Sequence, residues 1–200
     1  MRRIVMFDRV SADGYFSAPD GNLNWTVPDD EIDKSGTESM PDSDAMLFGR
    51  KTYKQFESFW PNVLSTSGTA PDPHAAGRNS PALHAMAVWI NDATKIVFSK
   101  TLQDVTWKNS RLIKEFDPRV VEAIKNEPGK DIMIFGSGTI VSELTRHGLI
   151  DEYHFVVSPT LLGEGKTLIS GVPLKQLALL EAKPYTSGNV VLRYGLKSAK

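Results

Sequence analysis

The stretch Met46-Leu47-Phe48-Gly49-Arg50-Lys51-Thr52-Tyr53 decides the fold, because an apolar run reaches a glycine and a polar, helix-forming run begins immediately after it. A short apolar strand that turns directly into a helix is typical of α/β proteins. A second stretch, Ile134-Phe135-Gly136-Ser137-Gly138-Thr139-Ile140, repeats this order of apolar run, glycine turn and helix start. In a parallel sheet both turns lie at the carboxyl ends of their strands, the edge where open α/β sheets bind ligands.

Outward from these turns, apolar runs and helix-like segments alternate along the 200 residues. The apolar runs predict strands at 4–7, 45–48, 95–98, 132–135, 152–157 and 190–194. Helices are predicted at 52–59, 81–91, 118–126 and 139–147. Residues 176–185 and 190–196 flank the turn Ser187-Gly188-Asn189, which predicts an antiparallel hairpin. The pattern as a whole predicts an α/β fold with a mixed, mostly parallel sheet, helices on both faces and an antiparallel C-terminal hairpin.

Local signals mark several helix ends. Ser80 and Asp117 are candidate N-caps, each followed by a proline at the first helical position, and Gly148 is a natural C-terminal stop. The run Pro28-Asp29-Asp30-Glu31 can begin another helix. Residues 61–80 are rich in Ser, Thr, Gly, Pro and Asn, which predicts a long loop that is either a binding lid or a surface insertion. Strand-like runs resume on both sides of it, so we expect a single domain over residues 1–200.

Composition excludes several classes of protein. The net charge is −1 and the 23 basic residues are scattered, which argues against a nucleic-acid or membrane-surface partner. The absence of cysteine excludes a disulfide framework, a thiolate metal site and a cysteine nucleophile, and the four histidines lack metal-ligand spacing. The first apolar run is too short for a signal peptide, and no run approaches the ~18 residues of a membrane span. We therefore expect a cytoplasmic protein with a small-molecule partner and no metal.

The two glycine turns have the chemistry of an anion site. Backbone N–H groups at a helix start and the helix dipole favour an anion, and glycine lets the backbone approach a phosphate closely. The first turn adds the charges of Arg50 and Lys51 and the hydroxyl of Thr52, and the second adds the hydroxyl of Thr139. The alternative is that each is an ordinary turn that requires a positive φ. Two such turns together, one with a basic pair, favour a phosphate-bearing ligand.

A third cluster, Phe98-Ser99-Lys100-Thr101, ends a predicted strand and can bind a further phosphate through a hydroxyl and an ammonium. The familiar phosphate motifs fit poorly. Val141 stands where the dinucleotide fingerprint requires its third glycine, which argues against a Rossmann fold. The stretch Thr160-Leu161-Leu162-Gly163-Glu164-Gly165-Lys166-Thr167 approaches a P-loop, but its leading glycine is a threonine, and Gly171 and Pro173 leave no room for a long helix.

Taken in order, these stretches resemble the dihydrofolate reductase superfamily, and more closely its bacterial branch related to the reductase domain of the riboflavin-biosynthesis deaminase-reductase. The likeness runs along nearly the whole chain. It rests on the loop Ser11-Ala12-Asp13-Gly14-Tyr15-Phe16, on Trp25 followed by Pro28 and Asp30, on the turns within 44–53 and 132–144, on the strand end at 95–102, and on 149–153 and 159–165. The resemblance implies the three-layer αβα fold of the dihydrofolate reductases and, by analogy, a homodimer.

The resemblance also implies NADPH as the cofactor, lying across the carboxyl edge of the sheet. Its 2′-phosphate would meet the strand end at 99–100, its pyrophosphate the two glycine turns, and its nicotinamide the loop after the first strand. The cofactor-binding residues implied in this way are Ala12, Gly49, Arg50, Lys51, Thr52, Ser99, Lys100, Gly136, Ser137, Gly138, Thr139 and Ile140. In this arrangement the protein binds and orients, and the cofactor supplies the hydride.

The implied reaction is hydride transfer to a small heterocycle that is pteridine-like or aminouracil-like. Asp30 is implied as the catalytic carboxylate that contacts this ring, but Asp29 and Glu31 stay open because the helix phase decides among the three. The other implied substrate contacts are Asp13, Trp25 and Phe135. Phe135 stands where the riboflavin-pathway reductases often carry an acidic residue, so a phosphoribosylaminouracil substrate is in doubt. The alternative function is a non-catalytic nucleotide-binding protein of the same fold.

Overall fold

The computed structural model describes residues 1–65 and 81–197 of the chain. Strands and helices alternate through both ranges, with a 3-10 turn at Met40–Asp42. In chain order the elements are β1 (Ile4–Ser11), α1 (Asp30–Ser39), β2 (Ser43–Gly49), α2 (Arg50–Ser65), α3 (Pro81–Asp92), β3 (Thr94–Phe98), β4 (Ser110–Ile113), α4 (Pro118–Asn126), β5 (Asp131–Ile134), α5 (Gly138–His147), β6 (Glu152–Ser158), β7 (Leu177–Pro184) and β8 (Val190–Leu196).

The eight strands form one sheet in the order β4-β3-β2-β5-β1-β6-β8-β7. Neighbours from β4 to β6 pair in parallel, whereas β8 pairs antiparallel with both β6 and β7. At the centre, Met6 of β1 lies beside Ile134 of β5 on one side and Tyr153 of β6 on the other. The predicted fold, a mostly parallel sheet with an antiparallel C-terminal hairpin, is confirmed.

Two apolar cores cover the two faces of the sheet, because successive side chains of a strand point to opposite faces. In β2, Ala45 and Leu47 belong to a core shared with α4 and α5, whereas Met46 and Phe48 belong to a core shared with α2 and α3. None of these four residues is exposed. A strand that is apolar on both faces is what a parallel sheet between two helix layers requires.

Two of the predicted helix ends are confirmed. The side chain of Asp117 accepts a hydrogen bond from the N–H of Arg119 at the start of α4, at 2.8 Å. Gly148 ends α5 in the left-handed region, with φ of 69°, and its N–H donates to the carbonyl groups of Leu144 and Thr145. The third predicted cap, Ser80, lies outside the described residues.

Helix α2 corrects the predicted loop at 61–80, because it continues through Pro61 to Ser65. Its apolar stripe does not stop at the proline: Phe56, Trp60 and Val63 all pack into the same core. That spacing keeps one face of the helix buried, and the burial offsets the hydrogen bond that the proline removes. The remaining part of the predicted loop, 66–80, lies outside the described residues.

Two strands also differ from the prediction. Strand β1 was predicted to end at Phe7, but it continues through Asp8 and Arg9 to Ser11 because all of these residues pair with β6. Strand β4 was not predicted. It has four residues, lies at the edge of the sheet and is only partly buried, so it carries a weak apolar signal.

Candidate cofactor and substrate cleft

A cleft of about 1410 Å³ runs across the sheet, from Arg3, Asp131 and Glu152 near the amino ends of the central parallel strands to the carboxyl ends of those strands. Both glycine turns and the end of β3 line it, although they are far apart in the sequence. Among the residues predicted to bind cofactor or substrate, the lining includes Gly49, Arg50, Lys51, Thr52, Ser99, Lys100, Phe135, Gly136, Ser137, Gly138, Thr139 and Ile140. The fold therefore brings the three predicted phosphate-binding clusters to a single cavity.

The two glycine turns are hydrogen-bonded to each other. The N–H of Gly49 donates to Ser137 Oγ at 3.0 Å, and the N–H of Ser137 donates to Thr52 Oγ1 at 3.1 Å. Gly136 and Ser137 both have left-handed backbones, with φ of 58° and 59°. A Cβ on Gly136 would lie 3.2 Å from Thr52 Oγ1, and one on Gly138 would lie 2.9 Å from the carbonyl oxygen of Leu168. Glycine thus lets the second turn pack closely on its surroundings.

This mutual contact engages the backbone N–H groups of two predicted cofactor residues. The amides of Gly49 and Ser137 are engaged in holding the turns together, so these residues shape the site. The amides of Gly138 and Thr139 begin α5, where a helix has no internal acceptor for its first N–H groups. Arg50 begins α2 at the same cavity and is exposed. Helix starts of this kind favour an anion.

The end of β3 adds a hydroxyl and a cation to the same cavity. Ser99 is buried, and its Oγ accepts hydrogen bonds from the N–H groups of Thr101 and Leu102, at 3.3 and 3.0 Å. The neighbouring Lys100 side chain is 77% exposed, and its Nζ lies 4.0 Å from Glu115 across an exposed pair that contributes little to stability. Ser99 therefore shapes the turn, and Lys100 presents the positive charge.

Asp13 and Ala12, predicted beside the substrate and the nicotinamide, are absent from the described lining of the cleft. The carboxylate of Asp13 accepts hydrogen bonds from the Ser11 hydroxyl at 2.6 Å and from the N–H groups of Leu162 and Gly163 at 3.1 and 2.7 Å. These bonds lower the pKa of Asp13 to about 2. The N–H of Ala12 likewise donates to the carbonyl of Thr160. Both residues fasten the loop after β1 to the loop after β6.

Helix α1 has a different phase from the one implied for a catalytic Asp30. Asp29 is its N-cap: this buried carboxylate accepts from the N–H groups of Glu31 and Ile32, at 2.9 and 3.1 Å, and from the Ser187 hydroxyl. The side chains of Asp30 and Glu31 are exposed, and neither residue lines the cleft. One turn after the cap, Asp33 does line it. Trp25, another predicted contact, is half-buried outside the described lining.

The acidic group that α1 presents to the cleft is thus Asp33. Its carboxylate pairs with the Arg9 guanidinium of β1 at 3.2 Å, and both side chains are largely shielded from water. An ion pair with this shielding keeps a fixed negative group at the cavity wall. The sequence signal for Asp33 was its spacing of four residues from the N-cap, which places it one helical turn inward.

Aromatic side chains form another wall of the cleft. The ring of Phe135 lies 5.9 Å from that of Phe7 and 6.3 Å from that of Phe56, centroid to centroid. Phe56 lies 5.9 Å from Trp60 in turn. All four residues line the cavity, and within the described parts of the chain the enclosed indole Nε1 of Trp60 has no hydrogen-bond partner. Such a wall suits a planar ring that carries a hydrogen-bond acceptor.

Asp8 lines the cleft and was not among the predicted site residues. Its Oδ1 accepts a hydrogen bond from the N–H of Gly136 at 2.8 Å. Its Oδ2 is enclosed, with no partner among the described residues. Burial raises the pKa of Asp8 to about 8, and the Gly136 hydrogen bond opposes this only in part. The available signal was a carboxyl group directly after an apolar run, which the prediction used only as the end of the strand.

Neither a P-loop nor a metal site is found among the described residues. The P-loop-like stretch at 160–167 is followed by loop and not by a helix, so it lacks the helix start on which a P-loop depends. His154 is half-buried and lies 2.9 Å from Glu152. In residues 1–65 and 81–197, no group of three or more His, Cys, Asp or Glu side chains is placed to hold a metal ion. No helix in those ranges is long and apolar enough to cross a membrane.

The sheet order and the cleft that reaches its carboxyl edge define a protein of the dihydrofolate reductase-like fold. A dihydrofolate reductase from Enterococcus faecalis complexed with NADP(H) is 12% identical and matches with a TM-score of 0.62, over 98% of this chain and 97% of that one. A putative riboflavin biosynthesis protein from Shewanella sp. PV-4 is 19% identical and matches with a TM-score of 0.73, over 98% of this chain and 99% of that one.

The chain belongs to the RibD C-terminal domain family, whose model matches residues 2–192. The uncharacterized protein YyaP of Bacillus subtilis (strain 168) is 26% identical over 200 residues, which cover 96% of this chain and 94% of YyaP. The predicted resemblance to the dihydrofolate reductase superfamily and its riboflavin-biosynthesis branch is therefore confirmed.

Proposed function

We propose that the protein is an NADPH-dependent reductase that transfers a hydride to a small planar heterocycle of pteridine-like or aminouracil-like shape. The observation that carries this proposal is the meeting of the three predicted phosphate-binding clusters at one cleft, beside an aromatic wall. Membership of the RibD C-terminal domain family and the shared fold of an NADP(H)-complexed dihydrofolate reductase support the same reaction class.

The residues at the turns fit a dinucleotide pyrophosphate. The amides of Gly138 and Thr139 begin α5, where the first N–H groups have no acceptor within the helix and favour a phosphate. Arg50 adds a guanidinium at the first turn. Lys100, two residues after the end of β3, is the candidate for the 2′-phosphate and the reason for preferring NADPH to NADH. When bound, the reduced nicotinamide supplies the hydride.

The substrate would lie against the aromatic wall formed by Phe7, Phe56 and Phe135. A flat ring gains dispersion and apolar burial from such a surface. Asp33, which also lines the cavity, can accept a hydrogen bond from a ring N–H or amino group, the role that the resemblance assigned to Asp30. Since Phe135 stands in place of an acidic contact, we propose a ring substrate that needs no carboxylate at that point.

The test is a titration followed by a substrate panel. Quenching of tryptophan fluorescence should give a lower Kd for NADPH than for NADH. Dihydrofolate, an aminouracil, quinone and aldehyde acceptors are then added in turn, and oxidation of NADPH should be faster with at least one of them than without protein. Tight NADPH binding without acceptor-dependent oxidation would favour a non-catalytic nucleotide-binding protein. Equal and weak binding of both cofactors would contradict the proposal itself.

A further inference from the structure

Asp8 lines the cleft on the part of β1 that extends beyond the end of β5. Strand β5 ends at Ile134, beside Met6, whereas β1 continues to Ser11. Asp8 therefore lies just beyond the last paired residue of β5, next to the turn that follows it. Its Oδ1 is held by the N–H of Gly136, so its position is fixed relative to the proposed cofactor turn.

The second oxygen of this carboxyl group lacks a partner. Oδ2 is enclosed, and no described group donates to it or accepts from it. A buried polar atom without a hydrogen bond is costly, and its presence beside a cavity points to a ligand that completes it. Ser17 Oγ, also buried and unpartnered among the described residues, lines the same cleft.

Asp8 also carries its proton at neutral pH, since burial raises its pKa to about 8. The titratable residues that β1, α1, α5 and the loops after β1 and β6 contribute to the cleft beside Asp8 are Arg9, Asp20, Asp33, Glu143, Arg146 and Lys166. Arg9 pairs with Asp33, and across the sheet Asp8 faces the apolar Phe155 of β6. The neutral carboxyl group then has one oxygen that accepts from Gly136 and one O–H that has no acceptor among the described residues.

We propose that Asp8 is the proton donor of the reaction. In this step the hydride from the reduced nicotinamide forms a C–H bond at the carbon of a substrate C=N or C=O bond. The π electrons of that bond move to the nitrogen or oxygen, which takes the proton from Asp8 Oδ2. The cofactor is oxidised by two electrons, the substrate is reduced by two, and the Asp8 carboxylate regains its proton from water. This inference rests on the proposed reductase function.

The position of Asp8 beside the proposed cofactor turn also supports its role as the proton donor. Asp8 follows Phe7 in the chain, and Gly136 follows Phe135; the two phenylalanine rings are in contact on the substrate wall. Successive side chains of β1 point to opposite faces of the sheet, so the Asp8 carboxyl lies on the other face from the Phe7 ring. Its hydrogen bond to Gly136 nevertheless holds it at the proposed cofactor turn, directly after Phe135 of the aromatic wall. A proton donor has to lie close to the bound nicotinamide, which this turn would position.

The test compares the wild-type protein with Asp8→Asn. Asparagine keeps an acceptor for the Gly136 N–H but has no acidic proton. With an acceptor identified in the substrate panel, kcat should fall by roughly 10²- to 10⁴-fold, while the Kd for NADPH stays within about twofold. The wild-type kcat should decline above pH 8, and this limb should be absent from the variant. The matched control is Asp92→Asn, which removes an exposed carboxylate paired with Lys108 outside the described lining of the cleft, and should leave activity unchanged.

A readout without turnover accompanies the kinetics. Infrared difference spectra of the ligand-free protein should show a protonated carboxylic acid at pH 7 that disappears on raising the pH and is missing in Asp8→Asn. A variant with wild-type kcat and an unchanged pH profile would overturn the role of Asp8 while leaving the reductase function intact. If none of the acceptors in the panel makes the wild-type protein oxidise NADPH, the reductase proposal fails, and the donor role fails with it.

Discussion

Asp8 and Asp13 stand five residues apart in the chain and have opposite protonation behaviour. Asp13 accepts hydrogen bonds from a hydroxyl and two backbone N–H groups, which lowers its pKa to about 2. Asp8 accepts a single N–H bond in an enclosed site, and burial raises its pKa to about 8. The chemistry of a carboxyl group is set by the partners that the fold supplies, so Asp13 is the residue that fastens the two loops.

The pKa of Asp8 predicts a pH dependence of stability. A carboxyl group with a raised pKa in the folded state binds more protons there than in the unfolded chain, between pH 3.8 and about 8. The contribution of Asp8 to the free energy of unfolding is therefore fully present below pH 3.8, and it is lost as the pH rises to about 8. Asp8→Asn should therefore raise Tm at pH 8.5 by about 3 °C or more, as expected for ~1 kcal/mol in a chain of this size.

The measurement is thermal denaturation followed by circular dichroism at pH 4 and pH 8.5. At pH 4 the variant and wild-type Tm should nearly coincide, because Asp8 is protonated in the folded protein at that pH. The comparison between two proteins at each pH removes the contribution of other titrating groups, such as Lys95, whose pKa burial lowers to about 8. An equal Tm difference at both pH values would contradict the assigned protonation.

Cofactor binding gives a second prediction at the level of single side chains. Arg50→Ala should weaken NADPH binding by roughly 1–3 kcal/mol through the loss of a charged contact to phosphate. Thr52→Ala should have a similar effect, whereas Thr52→Ser should have little, because it keeps the hydroxyl that accepts from Ser137. Lys100→Ala should reduce the preference for NADPH over NADH. Fluorescence titrations check all four, and unchanged affinities throughout would sink the proposed cofactor site.

At the level of elements, the turn before α5 combines a strained backbone with close packing. Gly136 has φ of 58°, and a Cβ there would lie 3.2 Å from Thr52 Oγ1. Gly136→Ala should destabilise the protein by roughly 1–2 kcal/mol, the cost of a left-handed backbone for an L-residue. It should also weaken NADPH binding, because the two turns can no longer approach each other as closely.

Substitution of Gly36 on α1 by alanine should have the opposite effect on stability. Gly36 lies inside the helix, and a Cβ there would meet nothing within 4 Å. Gly36→Ala should stabilise the protein by about 0.5–1 kcal/mol by reducing the freedom of the unfolded chain. Urea denaturation measures both variants. A stable Gly136→Ala variant with unchanged NADPH affinity would show that the turn geometry is unimportant for binding.

The phase of α1 predicts which acidic residue serves the substrate. Asp33→Asn should lower kcat/KM about tenfold or more, since loss of a charged hydrogen bond costs at least ~1.4 kcal/mol. Asp30→Asn is the matched control on the same helix; it is exposed and outside the described lining of the cleft, so kcat/KM should be unchanged. The reverse order of effects in steady-state kinetics would show that Asp30 contacts the substrate after all.

At the scale of the whole molecule, one edge of the sheet exposes apolar side chains. β7 is an edge strand, and its Leu179 and Leu180 side chains are 57% and 54% exposed. An apolar edge strand is suited to pairing with another chain. We expect a homodimer through this edge, with about twice the 22.1 kDa chain mass in light scattering. Leu179→Lys with Leu180→Lys should give the monomer mass; a monomeric wild-type protein would contradict the expectation.

The sequence by itself determined the class of the fold and indicated that both glycine turns lie at the carboxyl ends of parallel strands. The apolar run of β2, the glycine turns and the cap at Asp117 are local signals, each decided by neighbours a few residues away. Their order was sufficient to predict a mostly parallel sheet with a C-terminal hairpin. The same local signals could not assign β4, which is short and exposed at the edge.

Only the tertiary structure decided which polar side chains line the cleft. Thr52 reaches Ser137 across 85 residues of chain, and Asp13 reaches Gly163 across 150. Hydrogen bonds and burial of this kind depend on elements that meet only when the sheet forms, and they set both the direction and the protonation of a side chain. That is why Asp13 and Asp30, plausible as sequence, lie outside the described lining of the cleft, and why Asp8 lies within it.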